Sequence, residues 1–87
     1  MPQPVFSKTT FEEDVRVTLR DILQRNGLQA IFRPDVEGLV TVQFENTLLQ
    51  GAFERLIEEN QMDYSYNPDT RTVTIFAKTK LSRGMRL

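Results

Sequence analysis

The densest group of side chains able to do chemistry is Glu12-Glu13-Asp14, three successive carboxylates that could hold a cation or share a proton. Consecutive residues on a helix point to different faces, which strongly disfavours convergence of the three on one ion. In a first helical turn they match the positive end of the helix dipole instead. Asp35 and Glu37, followed by Gly38, lack the regular ligand spacing and closing glutamate of a calcium loop and read as a plain turn. Gly27, Gly38, Gly51 and Gly84 form no phosphate loop, because no Gly-Lys-Ser/Thr triplet accompanies them. Tyr64 and Tyr66 could stack bases from one face of a strand, yet Arg71 is the one cation nearby. Half-buried sheet aromatics account for them better.

Cys and His are absent from all 87 residues. That removes thiol nucleophiles, imidazole bases, disulfide frameworks and Cys/His zinc sites. The expectation is a non-enzyme with no cofactor, no metal and no small-molecule substrate. Hydrophobic residues at 39% and charged residues at 26% suffice for one modest core and exclude a compositionally disordered chain. No apolar run is longer than three residues, so no segment reads as a bilayer-spanning helix and no membrane insertion is expected. Lys78 to Leu87 carry Lys78, Lys80, Arg83 and Arg86 without an acid, whereas residues 1–77 hold seven basic and twelve acidic side chains. An acidic body with a net charge of −1 overall makes nucleic acid an unlikely partner.

These side chains must be positioned by short elements. Val5 to Phe11 reads as extended, with Thr9 and Thr10 adding β-branched character. From about Glu12, Val15, Leu19, Ile22 and Leu23 fall on one helical face, and Asn26-Gly27 is the stop. Gln29 to Arg33 is a strand halted by Pro34, and Pro34 to Gly38 is turn chemistry. Leu39 to Glu45 alternates, with Val40, Val42 and Phe44 on one face. Thr47-Leu48-Leu49-Gln50 matches a capping box for a second helix carrying Leu49, Ala52, Phe53, Leu56 and Ile57 on its apolar stripe. Gly51 inside that helix implies close packing. Met62 to Tyr66 and Thr72 to Lys78 form a hairpin around Asn67 to Arg71. The order is β-α-β-β-α-β-β, an α+β domain over residues 5–77. Residues 1–4 read as a disordered or expression-derived start, and residues 78–87 as a basic linker.

Several pieces follow one another in a familiar order: Phe11-x-x-Asp14-Val15-Arg16-x-x-Leu19, Asn26-Gly27-Leu28, Pro34-Asp35-Val36-x-Gly38, Val40-Thr41-Val42 with Phe44-x-Asn46, Ala52-Phe53-x-x-Leu56-Ile57, and Asp63-Tyr64 before Val73-Thr74-Ile75. In this sum the chain resembles the short N-terminal periplasmic domain shared by secretins and TonB-dependent transducing receptors. The Pro-Asp-Val-x-Gly turn before a Val-Thr-Val strand leans toward secretins. Leu48 stands where the family often has Pro, a change Thr47 capping would absorb.

The resemblance implies two helices packed between a two-stranded and a three-stranded sheet. It also implies a periplasmic location at the mouth of an outer-membrane channel. The implied partners are an inner-membrane secretion or pilus-assembly protein and the neighbouring secretin subunits of a ring. Two other readings stand beside it: the signalling domain of a receptor or its regulator, and a small nucleic-acid-binding module using the tail and the two tyrosines. For partner binding, the expected surface is made of free strand edges: Val5, Phe6, Ser7, Lys8 and Thr9 on the first strand, with Leu39 and Thr41 on the third. Phe6 and Leu39 would fill alternate pockets of an incoming strand, and Lys8 would guard the edge. The competing reading of Phe6 is that it simply closes the core.

Overall fold

The computed structural model describes residues 5–78. The expected basic segment, apart from Lys78, and the expected start at residues 1–4 lie outside them. The chain runs β1 (Val5–Thr9), β2 (Glu13–Asp14), α1 (Val15–Arg25), β3 (Gln29–Phe32), β4 (Leu39–Val40), β5 (Gln43–Leu48), α2 (Leu49–Glu59), β6 (Met62–Asn67) and β7 (Thr72–Ala77). Strands β1 and β5 pair antiparallel on one side of the helices. On the other side β3 pairs parallel with β7, which pairs antiparallel with β6. This is the expected α+β arrangement of two helices between a two-stranded and a three-stranded sheet. None of the described helices is long and apolar enough to cross a membrane.

One expected strand is split in two, and a further short strand stands in place of the expected first helical turn. Glu13-Asp14 pairs with Leu39-Val40 as a separate two-residue ladder, so the acidic triplet lies before the helix and its first turn holds no acid. Asp14 is the N-cap, accepting from the Arg16 amide at 2.9 Å. The Leu39-to-Glu45 segment divides at Thr41-Val42 because its halves serve different partners, β2 and β1. Val42 is consequently only half-buried, while Val40 and Phe44 are buried.

The expected capping box at Thr47 does not form. β5 runs directly into α2, the extended Leu48 occupies the cap position, and the Thr47 hydroxyl donates to the Glu45 carbonyl instead. The first helix stops as its sequence implies. Gly27 adopts φ +74°, and the Leu28 amide donates to the Leu23 carbonyl at 2.9 Å, closing a Schellman motif. Gly51 gains nothing from tight packing, since a Cβ there would meet no atom within 4 Å.

The core is built from the two helical stripes plus inward strand residues. Val15, Leu19, Ile22 and Leu23 of α1 meet Leu49, Ala52, Phe53, Leu56 and Ile57 of α2, with Val73 and Ile75 from β7. Five buried residues escaped the periodicity argument: Phe6, Val36, Met62, which stands opposite Ala77 across the sheet, and the polar Thr10 and Thr18. Thr18 is fully buried because its hydroxyl is satisfied by the Glu13 carboxylate. Val36 reaches the core from within the Pro34-to-Gly38 turn. There Gly38, at φ +129°, directs its carbonyl to the Val15 amide at 3.0 Å.

Candidate interaction surface

The residues expected at the partner surface are distributed over two different sheets. Val5 to Thr9 form β1, whose register sets Val5 opposite Leu48, Phe6 opposite Thr47, Lys8 opposite Phe44 and Thr9 opposite Gln43. Between Phe6 and Lys8 the partner strand has one extra residue, a bulge at which Asn46 takes φ +49° and its amide reaches the Ser7 hydroxyl at 3.2 Å. Asn tolerates that conformation through its short polar side chain. Among the described residues, no third strand pairs with this sheet.

The side chains of β1 divide by face. Val5, Ser7 and Thr9 are exposed, whereas Phe6 points inward. Phe6 lies 5.8 Å from the Phe44 ring, with the Arg25 guanidinium carbon 5.4 Å from its own centroid. Phe6 therefore closes the core, and its reading as a pocket-filling anchor is corrected: burial against Phe44 and Arg25 leaves no side chain to offer. Lys8 is not free to guard an edge either. Its ammonium donates to Asp21 at 2.9 Å and lies 3.7 Å from Glu13. Leu39, 63% exposed, sits opposite Asp14 on the small β2–β4 ladder, and the Thr41 hydroxyl accepts from the Glu12 amide at 2.9 Å. Of the residues expected at this surface, Val5 and Leu39 thus supply exposed apolar side chains and Phe6 does not.

A second surface entered the sequence argument only through Tyr64 and Tyr66, as possible base-stacking rings. Where the C-terminal turn of α1 meets the start of α2 and the β6–β7 hairpin, a groove of about 480 Å³ opens. Ile22, Leu49 and Phe53 form part of its apolar lining, Tyr64 and Tyr66 stand along it, and Arg71 lies beside them. Tyr64 meets Phe53 edge-on, with centroids 5.0 Å apart at 72°. Arg71 donates to the Gly27 carbonyl at 3.2 Å and has no carboxylate partner among the described residues. The legible signal was the Tyr-x-Tyr spacing, which places both rings on the helix-facing side of β6. Among the described residues no three acidic side chains come together as metal ligands.

No family model and no curated protein sequence matches the chain. A solved structure does: the N0 domain of the type II secretin from enterotoxigenic Escherichia coli. The superposition has a TM-score of 0.77 at 13% identity, covering 88% of this chain and all of the other. The fold is that of a secretin N-terminal domain. At 13% identity, what the two chains share is the fold. The N0 fold is built here on this chain's own side chains, and its surface chemistry is read from them alone.

Proposed function

We propose that this chain is a non-catalytic periplasmic interaction domain of a secretin-type outer-membrane channel. In this reading it docks an inner-membrane secretion or pilus-assembly protein and sits beside copies of itself in the assembled ring. The observation that carries the proposal is the N0 likeness over nearly the whole chain. The site chemistry supports it: a two-stranded sheet offers open main-chain edges among the described residues, while Asp14 is spent on a helix cap and Asp21 on an ion pair with Lys8. The partner strand would pair along β1, with Val5, Ser7 and Thr9 outward and Leu39 and Thr41 at the rim.

Ser7→Pro tests this, because it removes one main-chain donor from β1 without touching either helix. Titration of the labelled chain with periplasmic fragments of inner-membrane secretion proteins should shift amides of residues 5–9. Binding by the folded Ser7→Pro chain with unchanged affinity would refute the β1 edge. If no such fragment binds at all, the interaction role itself is refuted.

A further inference from the structure

The Phe11-Glu12 corner is the most exposed apolar feature of the fold. Phe11 is 78% exposed, and Glu12 holds φ +51°, an unusual conformation for a residue other than Gly, Asn or Asp. The Glu12 amide bonds to Thr41, so the corner is fixed and the ring is presented outward. Glu12 has no cationic partner among the described residues. At the other end of the molecule, the tyrosine-lined groove has an apolar floor and two charged groups on its wall: Glu54, which accepts from Gln50 at 3.3 Å, and Arg71, which pairs with no carboxylate among the described residues. An aromatic ring followed by an acid faces outward at one place, and an aromatic groove beside a cation opens at another.

The two features cannot meet within one copy. β1 runs alongside α1 in the opposite direction, as the contacts Phe6–Arg25 and Lys8–Asp21 show. Phe11 therefore lies at the N-terminal end of α1, while Ile22 and Asn26 bring the groove to its C-terminal end, about 16 Å of helix away. We infer that Phe11-Glu12 of one copy inserts into the groove of the next, with the ring against Phe53, Tyr64 and Tyr66 and the Glu12 carboxylate on Arg71. Such a contact is head-to-tail, so it propagates from copy to copy and closes only as a ring. It deepens the proposed function by naming the surfaces that neighbouring copies would use. A contact centred on one side chain is small, so free copies should associate only in the millimolar range; tethering within an assembly would raise the effective concentration.

The test is a concentration series of the 87-residue chain followed by amide NMR. The groove residues Tyr64, Tyr66 and Arg71 should shift together with Phe11 and Glu12 as concentration rises. Phe11→Ser, which leaves the core untouched, should weaken the association about tenfold or more. Glu12→Arg and Arg71→Glu should each weaken it, and the double charge swap should restore it. Fixed groove amides across the series, an unweakened Phe11→Ser chain, or a swap no better than its singles would overturn the inference. If the groove moves only on adding a periplasmic fragment of an inner-membrane secretion protein, it belongs to that partner and the self-contact is wrong. Failure of the self-contact by the first three results leaves the proposed docking along β1 untouched, whereas groove shifts with that fragment in place of shifts at residues 5–9 would move the docking surface to the groove.

Discussion

The Lys8 ammonium lies 2.9 Å from the Asp21 carboxylate and joins β1 to the middle of α1. Arg25 donates to the other oxygen of the same carboxylate at 3.2 Å, so one acid ties a strand residue and a helix residue together. The Lys8 stem is largely covered, which makes this contact more than a surface pair. Lys8→Ala should lower stability by about 1 kcal/mol, a figure held down by the partial exposure of Asp21. Chemical denaturation of the variant checks it; no loss would mean that Phe6 alone anchors β1.

Acid should weaken the fold through the same helix. Hydrogen bonding to Arg16 holds Asp14 at about 2, and Lys8 together with Arg25 holds Asp21 below the ordinary carboxylate value. Both groups bind protons more weakly folded than unfolded. Their stabilisation is therefore complete above about pH 4 and is lost as pH falls toward 2. Melting temperatures between pH 5 and 2 should decline, and Asp14→Asn should flatten part of that decline. An unchanged pH profile in that variant would remove the N-cap from the account.

Leu19 and Phe53 stand on facing helical stripes, Leu19 without any exposed surface. Truncating either to Ala should cost about 2–5 kcal/mol, a large share of what so small a domain possesses. Thermal melts that match the parent would contradict the helix-face assignment.

Gly51 should be improvable. It is exposed within α2 and a methyl group there meets open space. Gly51→Ala should stabilise by about 1 kcal/mol through lower unfolded-chain entropy and better helix propensity. A loss of stability would point to an unrecognised contact at that helix face.

Much of this fold is legible in the sequence because two short-range periods dominate it. The stripes from Val15 to Leu23 and Leu49 to Ile57 locate both helices, and Asn26-Gly27 marks the first one's end through a positive φ. Strand subdivision is not legible in this way. Whether Leu39 to Glu45 is one strand or two depends on β1 and β2 choosing different partners, a tertiary fact with no local signature. Phe6 shows the same limit: alternation puts it on one face of β1 but cannot say which face meets the core. The groove emerges only when Ile22, Leu49 and Tyr64 converge from separate elements.

The central position of β7 carries a consequence for how the chain acquires its structure. β3 and β6 do not pair with each other; both pair with β7, the last element of the described chain. Gln29 must find Thr72 and Phe32 must find Ile75, pairings more than forty residues apart. As the polypeptide emerges from its N-terminus, β3 waits without a neighbour until the final strand appears. Folding of this half is thus deferred to release of the whole segment, and a stalled or clipped chain ending before Thr72 presents two orphan edges open to self-association.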